Sequence, residues 1–100
     1  MKTKEQLVSL GLTEMKAEEV MLLESKMLEE AVRFQFTKKD GSLREAVGTL
    51  RRDKMVQADG SIWEPVGEPR PDVTTLVKFW DCEKSAWRSF NVQNLISVTI

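Results

Sequence analysis

Few side chains in this sequence can do chemistry beyond binding. There is no histidine, and the one cysteine, Cys82, sits between Asp81 and Glu83. Imidazole is the commonest general base near neutral pH, and a thiol attacks only as its thiolate. Two flanking carboxylates raise a thiol pKa, so Cys82 reads as a turn residue rather than an activated nucleophile. One cysteine and no histidine exclude a zinc site within a single chain. The carboxylates Glu18, Glu19, Glu29 and Glu30 read as a solvated helix face. Neither common phosphate-binding glycine loop appears. The expectation is a protein with no catalytic, metal-binding or cofactor-binding residues and no small-molecule substrate, hence not an enzyme.

Aromatic, basic and surplus apolar residues remain. Residues 1–31 hold four Lys and seven Glu, a net of -3, whereas residues 32–54 hold seven Lys or Arg and three Asp or Glu, a net of +4. Arg33, Arg44, Arg51 and Arg52 brought near Trp80, Trp87 and Arg88 would suit single-stranded nucleic acid. Bases stack on aromatic rings while phosphates meet cations. The competing reading places the tryptophans in a small core beside a solvated basic edge, with Arg88 stacked on Trp80 across a hairpin. A whole-chain charge of -1 supplies no field towards nucleic acid or a membrane. A protein partner or self-association is therefore expected ahead of nucleic acid.

Helices must come first in the chain. Thr3 is placed to cap a helix from Lys4 to Leu10, with Gln6 positioned to return the bond. Gly11 can take the left-handed turn that ends it, and Leu12 can close against the last turn. Thr13 caps a second helix running to about Glu29. Val20, Leu23, Met27 and Ala31 define its apolar face. Met15 and Leu22 fall on roughly the opposite side, which predicts burial on two sides or a second interface, either a partner surface or a lid over the barrel.

After Glu30 the period becomes two. Val32, Phe34 and Phe36 alternate with polar residues as a half-buried strand. Asp40-Gly41 then marks a hairpin, with Gly41 in a left-handed bulge position and a return strand over about 42–50. That register sets Phe34 opposite Ala46 and Val32 opposite Gly48. Residues 51–72 form a long irregular loop with three prolines and two glycines. Within it, residues 59–67 echo residues 40–48 at six of nine positions. The echo is either coincidence among turn-rich segments or a second short hairpin pairing Met55-Val56 with Ile62-Trp63. In that case Pro65 confines the strand to an edge, and Trp63 anchors the loop. Glu68-Pro69-Arg70-Pro71 is expected to be extended. Strands follow at Val73 to Asp81, Ala86 to Val92 and Ile96 to Ile100, with a turn over Cys82-Glu83-Lys84-Ser85.

Two stretches carry a resemblance. They are Phe-x-Phe-x-Lys-Lys-Asp-Gly-Ser-x-Arg-Glu-Ala-x-Gly-Thr from Phe34 and Phe-Trp-Asp-x-Glu-Lys-x-Ala-Trp-Arg-Ser-Phe-x-x-x-Asn-Leu from Phe79. Over residues 28–100 the chain resembles a family of small SH3-like β-barrel proteins of unknown function from gut bacteria and their phages. That family has glycine where this chain has Ser85. The closing Trp-Arg-Ser-Phe-x-x-x-x-Leu-Ile is also similar to the end of WYL domains, SH3-like ligand sensors in transcription regulators, although the Trp-Tyr-Leu triplet is absent. The helix, Leu10-Gly11-Leu12, helix segment is similar to the start of ubiquitin-associated domains, without their third helix.

At 100 residues the chain is expected to be a single α+β domain. One or two helices over residues 1–30 would pack on an SH3-like barrel of about five strands over residues 31–100. The start, Met1-Lys2-Thr3-Lys4-Glu5-Gln6, lacks the apolar run of a signal peptide. The longest unbroken apolar run, Val20-Met21-Leu22-Leu23, is far short of the ~20 residues that span a bilayer. With a lone cysteine this predicts a soluble cytoplasmic protein. Its expected role is a non-catalytic binding or adaptor module, with Met15, Leu22, Arg33, Arg44, Trp80, Trp87 and Arg88 as candidate surface residues. A nucleic-acid-binding accessory protein is the alternative.

Overall fold

Two threonines open the two helices. Thr3 Oγ1 accepts from the Gln6 amide at 3.2 Å, and Gln6 Oε1 accepts from the Thr3 amide at 3.0 Å. This reciprocal cap starts α1 (Lys4–Ser9) in the computed structural model, which describes residues 2–64 and 74–99. Gly11, at φ +98°, ends the helix. Its amide donates to the Val8 carbonyl at 2.9 Å and the Leu12 amide to that of Leu7 at 3.3 Å, which buries Leu12. Thr13 Oγ1 accepts from the Lys16 amide at 3.2 Å to open α2 (Glu14–Glu29). Ala17, Val20, Leu23 and Met27 of α2 are fully buried. Ala31 does not share that face: the helix is capped by Glu30 in an extended conformation, and Ala31 lies exposed beyond it.

Five antiparallel strands follow: β1 (Val32–Thr37), β2 (Leu43–Thr49), β3 (Leu76–Asp81), β4 (Ala86–Asn91) and β5 (Leu95–Thr99). Their order in the sheet is β4-β3-β2-β1-β5. Phe34 stands opposite Ala46 and Val32 opposite Gly48, the expected register. The β1–β2 turn places Gly41 at φ +87°. A single-turn 3-10 segment, Val92–Asn94, links β4 to β5. The fold is α+β, with the helices before the sheet and packed on it.

Phe34, Phe36, Phe79 and Phe90 form the aromatic centre of the core. Phe36 and Phe90 stack at 4.6 Å, while Phe34 meets Phe79 edge-on at 5.0 Å. The inner face of α2 covers this core. The Leu50 amide and Thr49 Oγ1 donate to the Met27 carbonyl at 2.8 and 3.1 Å. Thr49 Oγ1 also lies 3.2 Å from the Glu30 carbonyl. The threonine thus meets helix-end carbonyls that the helix itself leaves open.

The echo is structural at its start, where residues 59–61 repeat the turn of residues 40–42. Asp40 Oδ1 accepts from the Ser42 amide and hydroxyl at 2.9 and 2.6 Å; Asp59 Oδ1 accepts from the same groups of Ser61 at 3.0 and 2.6 Å. Gly60, at φ +88°, repeats Gly41. Val56 bridges Ile62, and the Trp63 amide donates to the Met55 carbonyl at 2.8 Å, so residues 55–63 are a second short hairpin. The edge placement of Pro65 and the extension of residues 68–71 lie outside the described residues. Among the described residues no helix is long and apolar enough to cross a membrane.

Candidate functional site

All three tryptophans of the chain meet at one place. Cys82 to Ser85 form the turn between β3 and β4, which sets Asp81 opposite Ala86 and therefore Trp80 opposite Trp87. Paired residues of an antiparallel sheet share a face, so the two rings touch, with centroids 6.0 Å apart and planes at 84°. Trp63 reaches the same face from the second hairpin, 5.3 Å from Trp87 and 6.1 Å from Trp80. Trp80 is only 2% exposed, and its indole Nε1 is buried with no acceptor. Trp87, 38% exposed, is the accessible member.

The same register corrects the expected Arg88–Trp80 stack. Arg88 stands opposite Phe79, one residue out of phase with the tryptophans, and successive strand residues point to opposite faces. The turn alone carried this information, because a four-residue turn after Asp81 fixes every pair behind it. The cation–π contact that does form sets the Arg44 guanidinium 5.9 Å from the Phe36 centroid.

The arginines and the tryptophans do not gather into one basic aromatic groove. Arg33 pairs with Glu45 at 2.5 Å on the outer face of β1 and β2, two strands away from Trp80. Its guanidinium, helped by Gln35, holds the Glu45 carboxyl below the usual carboxylate range. Arg44 is bound to the carboxylate of Asp81, which is fully buried. The other oxygen of Asp81 accepts the Glu83 and Lys84 amides at 2.9 and 3.1 Å and braces the β3–β4 turn. Arg51 binds Asp53 at 2.8 Å and the Glu29 carbonyl at 2.9 Å. Arg52 is exposed beside Asp53, Ile62 and Glu64 in a shallow depression. Arg33, Arg44 and Arg51 thus meet carboxylates, while Lys38, Lys39, Arg52 and Lys54 stay exposed.

Cys82 is half-buried, and burial, with Asp81 adding to it, pushes its thiol pKa up. That shift is opposite to the one that activates a cysteine nucleophile. Among the described residues no three of Cys, Asp and Glu are grouped to hold a metal ion.

A second surface lies on α2. Met15 is 76% exposed and Leu22 36%, so the sheet covers neither. The two flank a shallow depression whose other walls are Glu18 and Glu19. Glu18 accepts from Lys4 at 3.1 Å; that bond, with the charge of Glu14, raises the Lys4 pKa. Glu19 Oε2 is buried and has no donor. Sequence reasoning did not find the buried ion pair of Lys2 with Glu24, at 3.0 Å, or the anchoring of α2 by Thr49. Lys2 and Glu24 stand 22 residues apart, and no local pattern marks such a pair.

The family described as WYL_2, Sm-like SH3 beta-barrel fold, matches residues 20–96. A protein of Enterobacteria phage T4, described as "Uncharacterized 11.5 kDa protein in Gp31-cd intergenic region", is 36% identical over 64 residues, 63% of this chain. The match spans 60% of the length of that relative. Both findings agree with the resemblance to small SH3-like proteins of gut bacteria and their phages. No solved structure matches the chain.

Proposed function

The chain belongs to the WYL_2 family, of Sm-like SH3 β-barrel fold, and on that frame we propose a non-catalytic module that binds another protein. One observation carries the reading. Met15 and Leu22 stay exposed on the outer face of α2 while the inner face of the same helix is fully buried. A surface helix needs one apolar stripe to hold its place, and α2 has that stripe without these two residues. The exposed parts of these side chains add nothing to this fold, whereas their burial against a partner would stabilise the complex by roughly 25 cal/mol for each Å² covered.

The test is the double substitution Met15→Glu, Leu22→Glu. The variant should keep the thermal midpoint of the parent and lose binding to its protein partner, or lose self-association if the partner is a second copy. Sedimentation velocity reads self-association, and cross-linking in the native cell reads a hetero-complex. A parent that is monomeric and forms no protein cross-link through α2 would end the reading. The nucleic-acid alternative draws on exposed Trp87 and Arg88, but Trp80 is buried, and Arg33, Arg44 and Arg51 are each paired with a carboxylate.

A further inference from the structure

The outer face of α2 also specifies the chemistry of what it binds. Met15 and Leu22 are seven residues apart, about 10 Å along the helix axis. Glu18 and Glu19 stand between them and complete the walls of the depression. The face is acidic along its length. Glu14, Glu18, Glu19 and Glu29 are exposed or half-buried on α2, against Lys16 and Lys26. Lys16 is turned to the Leu95 carbonyl, and Lys26 lies 4.0 Å from Glu29. Lys4 lies 3.1 Å from Glu18 and 4.0 Å from Glu14, whereas half-buried Glu19 lines the depression with one carboxylate oxygen buried and without a donor. A buried oxygen of this kind is normally hydrogen-bonded. Apolar walls with a carboxylate between them complement a side chain that is apolar along its stem and cationic at its tip.

We infer that the depression on α2 receives a lysine or arginine from a basic, amphipathic segment of a partner protein. The aliphatic stem lies between Met15 and Leu22, and the cationic head meets Glu19, with Glu18 beside it. The inference rests on the protein-binding reading above and names the partner that reading leaves open. Charge complementarity selects the occupant. An acidic segment would add like charge to the face and a neutral one would leave Glu19 without a cation, whereas a basic one pairs with the Glu19 carboxylate and is steered to it.

Two fluorescein-labelled helical peptides of equal length test this. Both carry leucines at i, i+3 and i+7; one has arginine at the positions between, the other glutamate. Fluorescence anisotropy with the full chain should give saturable binding of the arginine peptide and none of its twin, up to about 1 mM, the weakest affinity of interest. The binding should weaken on raising salt from about 50 to 300 mM. It should also weaken by about tenfold or more in Glu18→Gln, Glu19→Gln, whose exchange of acid for amide keeps the shape of the face. Equal binding of both peptides, lost in Met15→Ser, Leu22→Ser, overturns the basic partner but keeps the protein-binding reading. Binding of neither peptide, with a dimer that Met15→Ser, Leu22→Ser dissociates, also overturns it and makes a second copy the occupant. A monomer that binds neither peptide overturns the basic partner, and the protein-binding reading falls with it only if no protein cross-link forms through α2. A near-ultraviolet spectrum and thermal midpoint unchanged from the parent establish that each variant is folded.

Discussion

Replacing Gly48 with alanine should destabilise the protein by packing alone. A Cβ at this position would lie 2.6 Å from Phe79 Cδ2, 3.0 Å from Phe34 Cε1 and 3.1 Å from Phe79 Cγ. Carbon atoms in good contact stand about 3.5–4.0 Å apart, so the Phe79 ring would have to retreat by about 1 Å. It has little room: both rings are fully buried, meet edge-on, and are bounded by Phe36 and Phe90. Overpacking of this kind costs about 1–3 kcal/mol. Alanine recovers about 0.5–1 kcal/mol of that, because glycine loses more backbone freedom in a strand. With the Phe79 ring boxed in, the overpacking cost lies in the upper half of its range and the net loss is about 1–2.5 kcal/mol, which lowers the thermal midpoint of a domain this size by roughly 5–20 °C. Urea and thermal unfolding of the parent, Gly48→Ala, Phe79→Leu and the double variant measure it. Phe79→Leu alone opens a cavity, and in the double variant the new methyl partly fills it. The two losses should then fall short of additive by more than about 0.5 kcal/mol. A Gly48→Ala protein that melts within about 2 °C of the parent, or strict additivity, would refute the steric account.

Ser85 sits at φ +51°, and Ser85→Gly should raise stability by about 0.5–1 kcal/mol, read as a higher urea midpoint; a lower midpoint would show that the serine side chain supports the turn. The carboxyls of Asp40 and Asp59 are held below their usual range, first by the hydroxyl and then by the amide of Ser42 and Ser61. Since their folded pKa lies below the unfolded value, their contribution is present above about pH 4 and fades as pH falls through the folded pKa. Asp59→Asn keeps an acceptor but does not titrate, so its thermal midpoint should fall less than the parent's on going from about pH 5 to pH 3. Single-stranded DNA or RNA at about 150 mM salt should produce no saturable quenching of tryptophan fluorescence. Submicromolar quenching lost in Arg88→Ala would favour the nucleic-acid alternative.

What the sequence made legible follows from how each constraint acts. Asp40-Gly41 fixes a turn through its own backbone, and the turn fixes each pair of β1 and β2, so the register could be read from a few adjacent residues. The caps at Thr3 and Thr13 act over three residues and were equally legible. Repetition of Asp-Gly-Ser at 59–61 carried the same turn chemistry, yet the short strands beside it have no period strong enough to decide between a hairpin and coincidence. The arginines were not legible in the same way. A long flexible side chain takes whichever acceptor its face presents, and Arg44 found Asp81 across 37 residues. Arg88 is the exception, because the four-residue turn after Asp81 sets its strand in register and alternation then says which side it occupies.

The tryptophans and α2 show the two limits of that rule. Trp80 and Trp87 were candidates as stacking platforms because they lie on strands rich in aromatic residues, and sequence alone could not supply what covers them. The cover is Trp63, carried by the second hairpin and brought to the β3–β4 face. Met15 and Leu22 were legible as an outward pair because helix geometry alone sets their angle to Val20, Leu23 and Met27. A helix cannot turn two opposed stripes to one core. The inner stripe holds α2 on the sheet through Met27, Thr49 and Leu50, so Met15 and Leu22 are left to solvent whatever the rest of the chain does. Thus the outward placement of Met15 and Leu22 is fixed by the same contacts that seat the helix.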